Sequence, residues 1–340
     1  MVSLLPGLRR AWFQSGFCPV WWEFFRCEAS ESSARGFAVW VSRNGGASAW
    51  LTATATPGVY AFGPAFETLV ERLQVLLSGI APTADRVLRF SPLLSREHLE
   101  RTGYLTNMPH LLGCVHAFQG DETDFGDLVS TVGEGGDWSA EVSPTALVLA
   151  PAVCFNVYPL LSGVTGSKAV VVDASGSCFR HESSAEPGRF QSFRMREFVC
   201  AGPPDAVVSW RQEWLERGRD LFTSLGIVPT EDVANDPFFA NAHRIMKLAQ
   251  QSERLKLELR VPLPGTGSGT VAAASFNYHK AHFSDAFAIN PEAGWHTACV
   301  GFGLERIVLA LLAEHGETVE AWPSGVAELL DVGCLTGASV

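Results

Sequence analysis

The stretch from residue 297 to 314 constrains this chain more than any other. Residues 297–302 form an apolar, strand-like run that ends in a turn flanked by Gly301 and Gly303. A helix with clear periodicity is expected over 304–314, which places Arg306 in its first turn. Free backbone amides and the positive end of the helix dipole gather there, and both favour phosphate beside a guanidinium. A second stretch points the same way: Phe179-Arg180-His181-Glu182, a polar loop, then Arg189-Phe190-Gln191-Ser192-Phe193. A guanidinium can grip a phosphate bidentately and a flat ring can stack on a purine, so these residues suit a nucleotide site. Taken singly, they have plainer explanations: an Arg180–Glu182 surface pair, a core Phe193, and an Arg306 paired with Glu305.

Around these stretches, strands are expected over 146–149, 169–172, 177–180, 193–201, 256–261, 270–278 and 286–289. Helices are expected over 64–78, 204–225 and 237–255. Asn44-Gly45-Gly46, between apolar runs at 37–41 and 47–54, predicts a hairpin. The acidic, Gly-containing segment 119–139 reads as a surface loop or a weak helix. The sum is an α+β fold, an antiparallel sheet flanked by helices. An apolar content of 47%, with 22 Phe and 10 Trp, is ample for its core. The net charge of −11 argues against a surface built to embrace nucleic acid. The uncharged stretch 142–167 is broken by Pro144, Pro151 and Pro159, so it is expected to be strand and loop rather than a membrane span. The eight cysteines form no Cys-x-x-Cys pair and suggest reduced thiols in a cytoplasmic protein.

In this order, the two arginine stretches resemble motifs 2 and 3 of the class II aminoacyl-tRNA synthetase catalytic core. Phe90-Ser91-Pro92 and Thr102-Gly103-Tyr104-Leu105 are similar to the segment that leads into the core of seryl-tRNA synthetases. Leu147-Val148-Leu149-Ala150-Pro151-Ala152 with Val157-Tyr158-Pro159 sits where those enzymes carry the strand before motif 2. Leu255-Lys256-Leu257-Glu258 and Ala274-Ser275-Phe276-Asn277-Tyr278-His279 fall between motifs 2 and 3. The nearest likeness is to the amino acid:[carrier protein] ligases, truncated relatives of the seryl-tRNA synthetases of some methanogens. The resemblance implies an N-terminal portion over 1–89 packed on the core, a class II core over 90–316, and a tail over 317–340.

It also implies a chemistry: ATP activates a small amino acid, glycine or alanine, as aminoacyl-AMP, and the acyl group passes to a carrier protein's phosphopantetheine thiol. Arg180 would stabilise the α-phosphate and Arg306 the γ-phosphate, the two catalytic cations. Glu182, Arg189 and Phe193 would complete ATP binding, with Glu258 and Ser275 the candidates for Mg2+. The family's zinc site maps onto Cys154, Glu197 and Cys299, expected on strands of one sheet. Three protein ligands leave Zn2+ an open place for a substrate amine. Glu197 and Asn277 would then touch the amino acid. Two buried cysteines on apolar strands would otherwise be ordinary core residues. The expected helix over 237–255 carries Arg244, Lys247 and Arg254, with Lys256 just after it. Arg244 and Lys247 share a helix face suited to an acidic carrier protein, or are an ordinary solvated face. A homodimer is implied, and tRNA is the less favoured acceptor. A minimal tRNA-charging enzyme, another adenylating enzyme or a non-catalytic paralogue are the rival readings.

Overall fold

The computed structural model describes residues 41–42, 50–182, 184, 186–239, 248 and 250–333. At its centre is a seven-stranded sheet. The strands are β1 (Arg86–Phe90), β2 (Val170–Phe179), β3 (Ser192–Gly202), β4 (Thr230–Val233), β5 (Lys256–Pro262), β6 (Thr270–Lys280) and β7 (His296–Gly303). Their order is β4-β5-β6-β7-β3-β2-β1, and every pairing is antiparallel except β1 with β2. The fold is therefore α+β, with one parallel pair at its edge.

Strand alternation gives this sheet two unlike faces. Leu257, Leu259, Phe276, Val300, Phe302 and Phe198 point to one side and join the main core. Three helices cover them: α1 (Pro64–Ile80), α2 (Pro204–Ser224) and α3 (Leu304–His315). In α1 the buried residues Phe66, Leu69, Val70, Leu73 and Leu77 recur at helical spacing, and Pro64 opens its first turn. In α2, Trp214 is fully buried and stacks on Phe198 with ring centroids 4.2 Å apart. Each fully buried Leu or Phe here contributes about 2 kcal/mol. The intervening residues Lys256, Glu258, Ser275, Asn277, Cys299 and Glu197 face the other side. A smaller apolar cluster with Tyr158, Phe283 and Trp295 packs beside them, Tyr158 stacking on Phe283 at 4.0 Å.

Several sequence expectations are corrected. The runs either side of Asn44-Gly45-Gly46 do not make an antiparallel hairpin, since Val41–Ser42 pairs parallel with Leu51–Thr52; residues 43–49 lie outside the described ones. The antiparallel partner of Leu51–Ala53 is Tyr60–Phe62, across a turn in which Thr54 Oγ1 donates to Val59 O. Residues 169–172 and 177–180 are not two strands but one, β2, from which Arg180 projects. The expected strand over 286–289 is absent: His282–Phe287 is helical, because Phe283 and Phe287, four apart, are buried together. Such a short apolar run suits either state, and tertiary packing decides.

Ser143–Leu149 belongs to a separate three-stranded sheet with Leu93–Ser95 and Cys114–Ala117. Cys154 begins a short helix, Cys154–Val157, rather than lying on a strand of the shared sheet. The acidic segment is a helix, Glu122–Gly133, closed by a reciprocal cap between Asp121 and Asp124. Of the expected helix over 237–255, residues 237–239 are not helical; Arg244 and Lys247 lie outside the described residues. Chain beyond 316 is no featureless tail, since Val319, Trp322 and Val326 enter the main core. The expected boundary at 89/90 falls within β1. No helix among the described residues is long and apolar enough to cross a membrane.

Candidate active site

The polar face of the sheet is ordered by register. Glu258 pairs with Ser275, Ser275 with Gly301, and Gly301 with Glu197, so four distant segments contribute to one cross-strand row. The next row on the same face is Lys256, Asn277 and Cys299. Gly301 keeps the middle of the first row open: a Cβ there would lie 2.9 Å from Met195 Cε and 3.4 Å from Glu197 Cγ. Two adjoining cavities lie over this floor.

The smaller cavity, about 90 Å3, is lined by Arg180, Glu182, Phe193, Glu258, Ser275 and Arg306, with Lys256 and Glu305. Arg180 donates through Nε to Pro151 O at 3.0 Å, and its guanidinium lies over the Phe193 ring at 5.3 Å. Arg306 is not paired with Glu305. It donates to Gly188 O through Nε and to Ala272 O through Nη1, both at 2.9 Å. Gly188, at φ +73°, lets the loop turn its carbonyl inward. Burial, then the neighbouring Arg180 and Arg189, lower the Arg306 pKa to about 10. The guanidinium still carries its charge at neutral pH, held away from water and pressed by other cations. Arg189 stands exposed on the rim and bonds Glu182 at 2.8 Å and Glu186 at 3.1 Å.

The larger cavity, about 350 Å3, is lined by Cys154, Glu197, Cys299 and Asn277, with Tyr104, Met108 and Phe238 towards its apolar side. The ligand atoms of Cys154, Glu197 and Cys299 all lie within 4.8 Å of one another, and all three residues are buried. Glu197 is fixed by the backbone N–H groups of Val153 and Cys154, which donate to its carboxylate at 2.8 and 3.1 Å. Burial, and next the Cys299 sulfur, push its carboxyl up to about 7. Cys299 is the thiol of the pair that ionises first. The Cys154 thiol donates to it, with His279 and Asn277 adding support; Cys154 is correspondingly pushed up. Two soft sulfurs, one carboxylate and supporting donors on a sulfur are a donor set that fits zinc.

Two features escaped the sequence. Lys256 starts β5, as expected of a strand over 256–261, but it also lines both cavities and reaches Asp236 at 2.9 Å and Glu258 at 3.6 Å. The alternation Lys256-Leu257-Glu258-Leu259 was the available signal. The second is a knot beneath Arg306. Buried Glu305 accepts from Arg194 N at 2.9 Å and Arg194 Nε at 2.7 Å, while the Arg194 guanidinium also grips Glu67 of α1. This ties β3, α3 and α1 together, and nothing local in the sequence joins those positions.

No family model matches the chain. Two proteins of Bradyrhizobium diazoefficiens do, named amino acid--[acyl-carrier-protein] ligases 1 and 2. The first is 40% identical over 277 residues, covering 80% of this chain and 85% of its own. The second is 41% identical over 279 residues, covering 81% and 83%. The type-2 serine--tRNA ligase of Methanopyrus kandleri is 27% identical over 310 residues, and the chain spans 58% of its length. The solved M. kandleri SerRS, in complex with A. aeolicus tRNASec, superposes with a TM-score of 0.72 at 24% identity, covering 83% of this chain and 58% of that one. With about two-fifths of the aligned residues identical along most of both relatives, and a sheet of the class II synthetase kind, the chain belongs to the amino acid--[acyl-carrier-protein] ligase family.

Proposed function

We propose that this protein uses ATP to activate an amino acid as aminoacyl-AMP and then passes the acyl group to the phosphopantetheine thiol of an acidic carrier protein. What most favours this is the pair of cavities over one floor, one lined by Arg180, Lys256 and Arg306 together with Glu182 and Glu258, beside one walled by two thiols and a carboxylate. In the first step a substrate carboxylate oxygen attacks the α-phosphorus and pyrophosphate leaves. In the second the thiol sulfur attacks the acyl carbonyl and AMP leaves. Neither step needs an enzyme nucleophile, so positioning and charge neutralisation carry the rate.

Arg180 and Arg306 are the catalytic cations, on the α- and γ-phosphates. Glu182 orients the nucleotide. Phe193, its ring beside Arg180, stacks on adenine, and Arg189 swings from its carboxylates to the pyrophosphate. Glu258 and Ser275, directly across from each other, would hold Mg2+. Cys154, Glu197 and Cys299 would hold zinc, which when bound offers its remaining place to a neutral α-amine. Glu197 and Asn277 border that amine.

Glycine or alanine is the substrate the family resemblance suggests. The 350 Å3 cavity exceeds what either needs and leaves room for the end of a pantetheine arm. Arg244 and Lys247 remain the proposed carrier contacts. A homodimer is supported by the exposed edge of the fold, where β1 leaves Val87 61% accessible.

ATP–pyrophosphate exchange across a panel of amino acids tests the function without knowledge of the acceptor. Exchange with one or two small amino acids, and AMP release on adding a holo-carrier but not bulk tRNA, is the expected result. No exchange with zinc and magnesium supplied would sink the proposal.

A further inference from the structure

The two cavities meet along a seam, and adenylation has to happen there. One cavity takes the phosphates and the other the amino acid, so the attacking oxygen and the α-phosphorus can approach only where both open. Five residues line both: Arg180, Met195, Lys256, Ser275 and Gly301. Among the described residues, Arg180 and Lys256 are the charged members of that set. The attack brings an anionic carboxylate onto an anionic phosphate, and a single guanidinium on one side leaves the approach unbalanced.

We propose that Lys256 is a second catalytic cation, its ammonium lying against the incoming carboxylate and an α-phosphate oxygen across the seam from Arg180. This rests on the adenylating function above. The carboxylate oxygen forms a bond to the α-phosphorus while the bond to the bridging β-oxygen breaks, and pyrophosphate departs with that electron pair. Lys256 transfers no proton. It neutralises charge during the attack and holds the new acyl-phosphate in place.

Its position follows from register. Lys256 stands across from Asn277 in the row that ends at Cys299, on the amino-acid side. Two residues on, Glu258 stands in the row of Ser275 and Gly301, on the phosphate side. An unbranched chain rooted in the first row and leaning on Glu258 spans both. The side chain is 15% exposed, and its ammonium is held by Asp236 at 2.9 Å and Glu258 at 3.6 Å. A compact ammonium also suits a crowded seam better than a second planar guanidinium.

The rival is that Lys256 serves only to tie down Asp236, whose carboxylate also accepts from Gln250 at 2.8 Å. Pyrophosphate exchange by the full chain separates the two. Lys256→Met should lower kcat about 100-fold or more with zinc content near wild type, while the melting temperature falls because Asp236 loses its cation. Asp236→Asn, which removes the tie but not the ammonium, should lose less than about tenfold. Ethylammonium added to Lys256→Ala should restore part of the rate. Exchange by Lys256→Met within about threefold of wild type would overturn the proposal. Equal losses in Lys256→Met and Asp236→Asn, without amine rescue, would overturn it too. If Lys256→Met does not fold, Lys256→Gln against Lys256→Arg decides in the same way, Arg retaining the higher kcat. A wild-type protein that exchanges with no amino acid would instead bring down the function itself, and Lys256 with it.

Discussion

The two cavities share a floor and differ in almost everything else. The phosphate-side cavity is built from charges that are already engaged. Arg189 is bound by Glu182 and Glu186, Arg306 by two backbone carbonyls, and Arg180 by Pro151 O and the Phe193 ring. The amino-acid side is built from buried sulfurs and one carboxylate whose charges no cation balances within the cluster. A polyanion entering the first can exchange partners with groups already held in place, at little reorganisation. In the second, a divalent ion would supply the missing positive charge, because buried thiolate and carboxylate together are otherwise costly. The two halves should therefore fail independently, and variants can test that separation.

The largest effect is expected on the phosphate side. Arg306→Ala removes the guanidinium proposed to meet the γ-phosphate and should cut pyrophosphate exchange roughly 1000-fold. Zinc content, measured by metal analysis, should not change. Exchange within about tenfold of wild type would show that the helix-start arginine is structural.

The mirror experiment acts on the other side. Cys299→Ser, or zinc removal by a chelator, should lower amino-acid-dependent exchange by about 100-fold, a loss typical of a missing ligand or its support. ATP affinity, read by calorimetry, should stay within about threefold. If ATP binding collapses with the metal, the cavities are one cooperative site and the comparison is wrong. A smaller, structural effect is expected from the knot under Arg306. Glu305→Gln leaves Arg194 with a neutral partner, and partial exposure of Arg194 tempers the loss to about 2 kcal/mol of stability in urea unfolding. An unchanged midpoint would mean that Glu67 alone suffices to hold Arg194.

How legible each half was follows from the range of its contacts. Arg180, Glu182, Phe193 and Arg306 sit in short stretches whose local pattern already suggests phosphate and purine. Their convergence on one cavity agrees with that pattern. Cys154, Glu197 and Cys299 have no metal-like spacing, and only family likeness singled them out. What unites them is sheet register plus a short helix laid on β3, and neither can be read from one strand at a time. The strand expected over 286–289 failed because four apolar residues carry no period. The hairpin failed because Asn44-Gly45-Gly46 says nothing of strand direction, and Val41–Ser42 runs parallel to Leu51–Thr52. Lys256 was expected on its strand, but nothing local says that the strand's first residue stands where the two cavities meet; register against β6 and β7 decides that.

The smallest predicted effect is the most discriminating for the loop beyond β2. Glu182 bonds Arg189, an exposed residue, so the pair itself is worth at most about 1 kcal/mol. Glu182→Gln should thus leave the unfolding midpoint nearly unchanged. If Glu182 also orients the nucleotide, KM for ATP should rise by roughly fivefold to tenfold while kcat and the amino-acid KM hold. A fall in kcat with KM unchanged would place Glu182 at the reacting atoms, on the seam rather than in the nucleotide pocket. No change in either constant would reduce it to a counter-ion for Arg189. Binding on the phosphate side would then rest on its cations, Phe193 and the Glu258–Ser275 pair, with no carboxylate needed on the nucleotide itself.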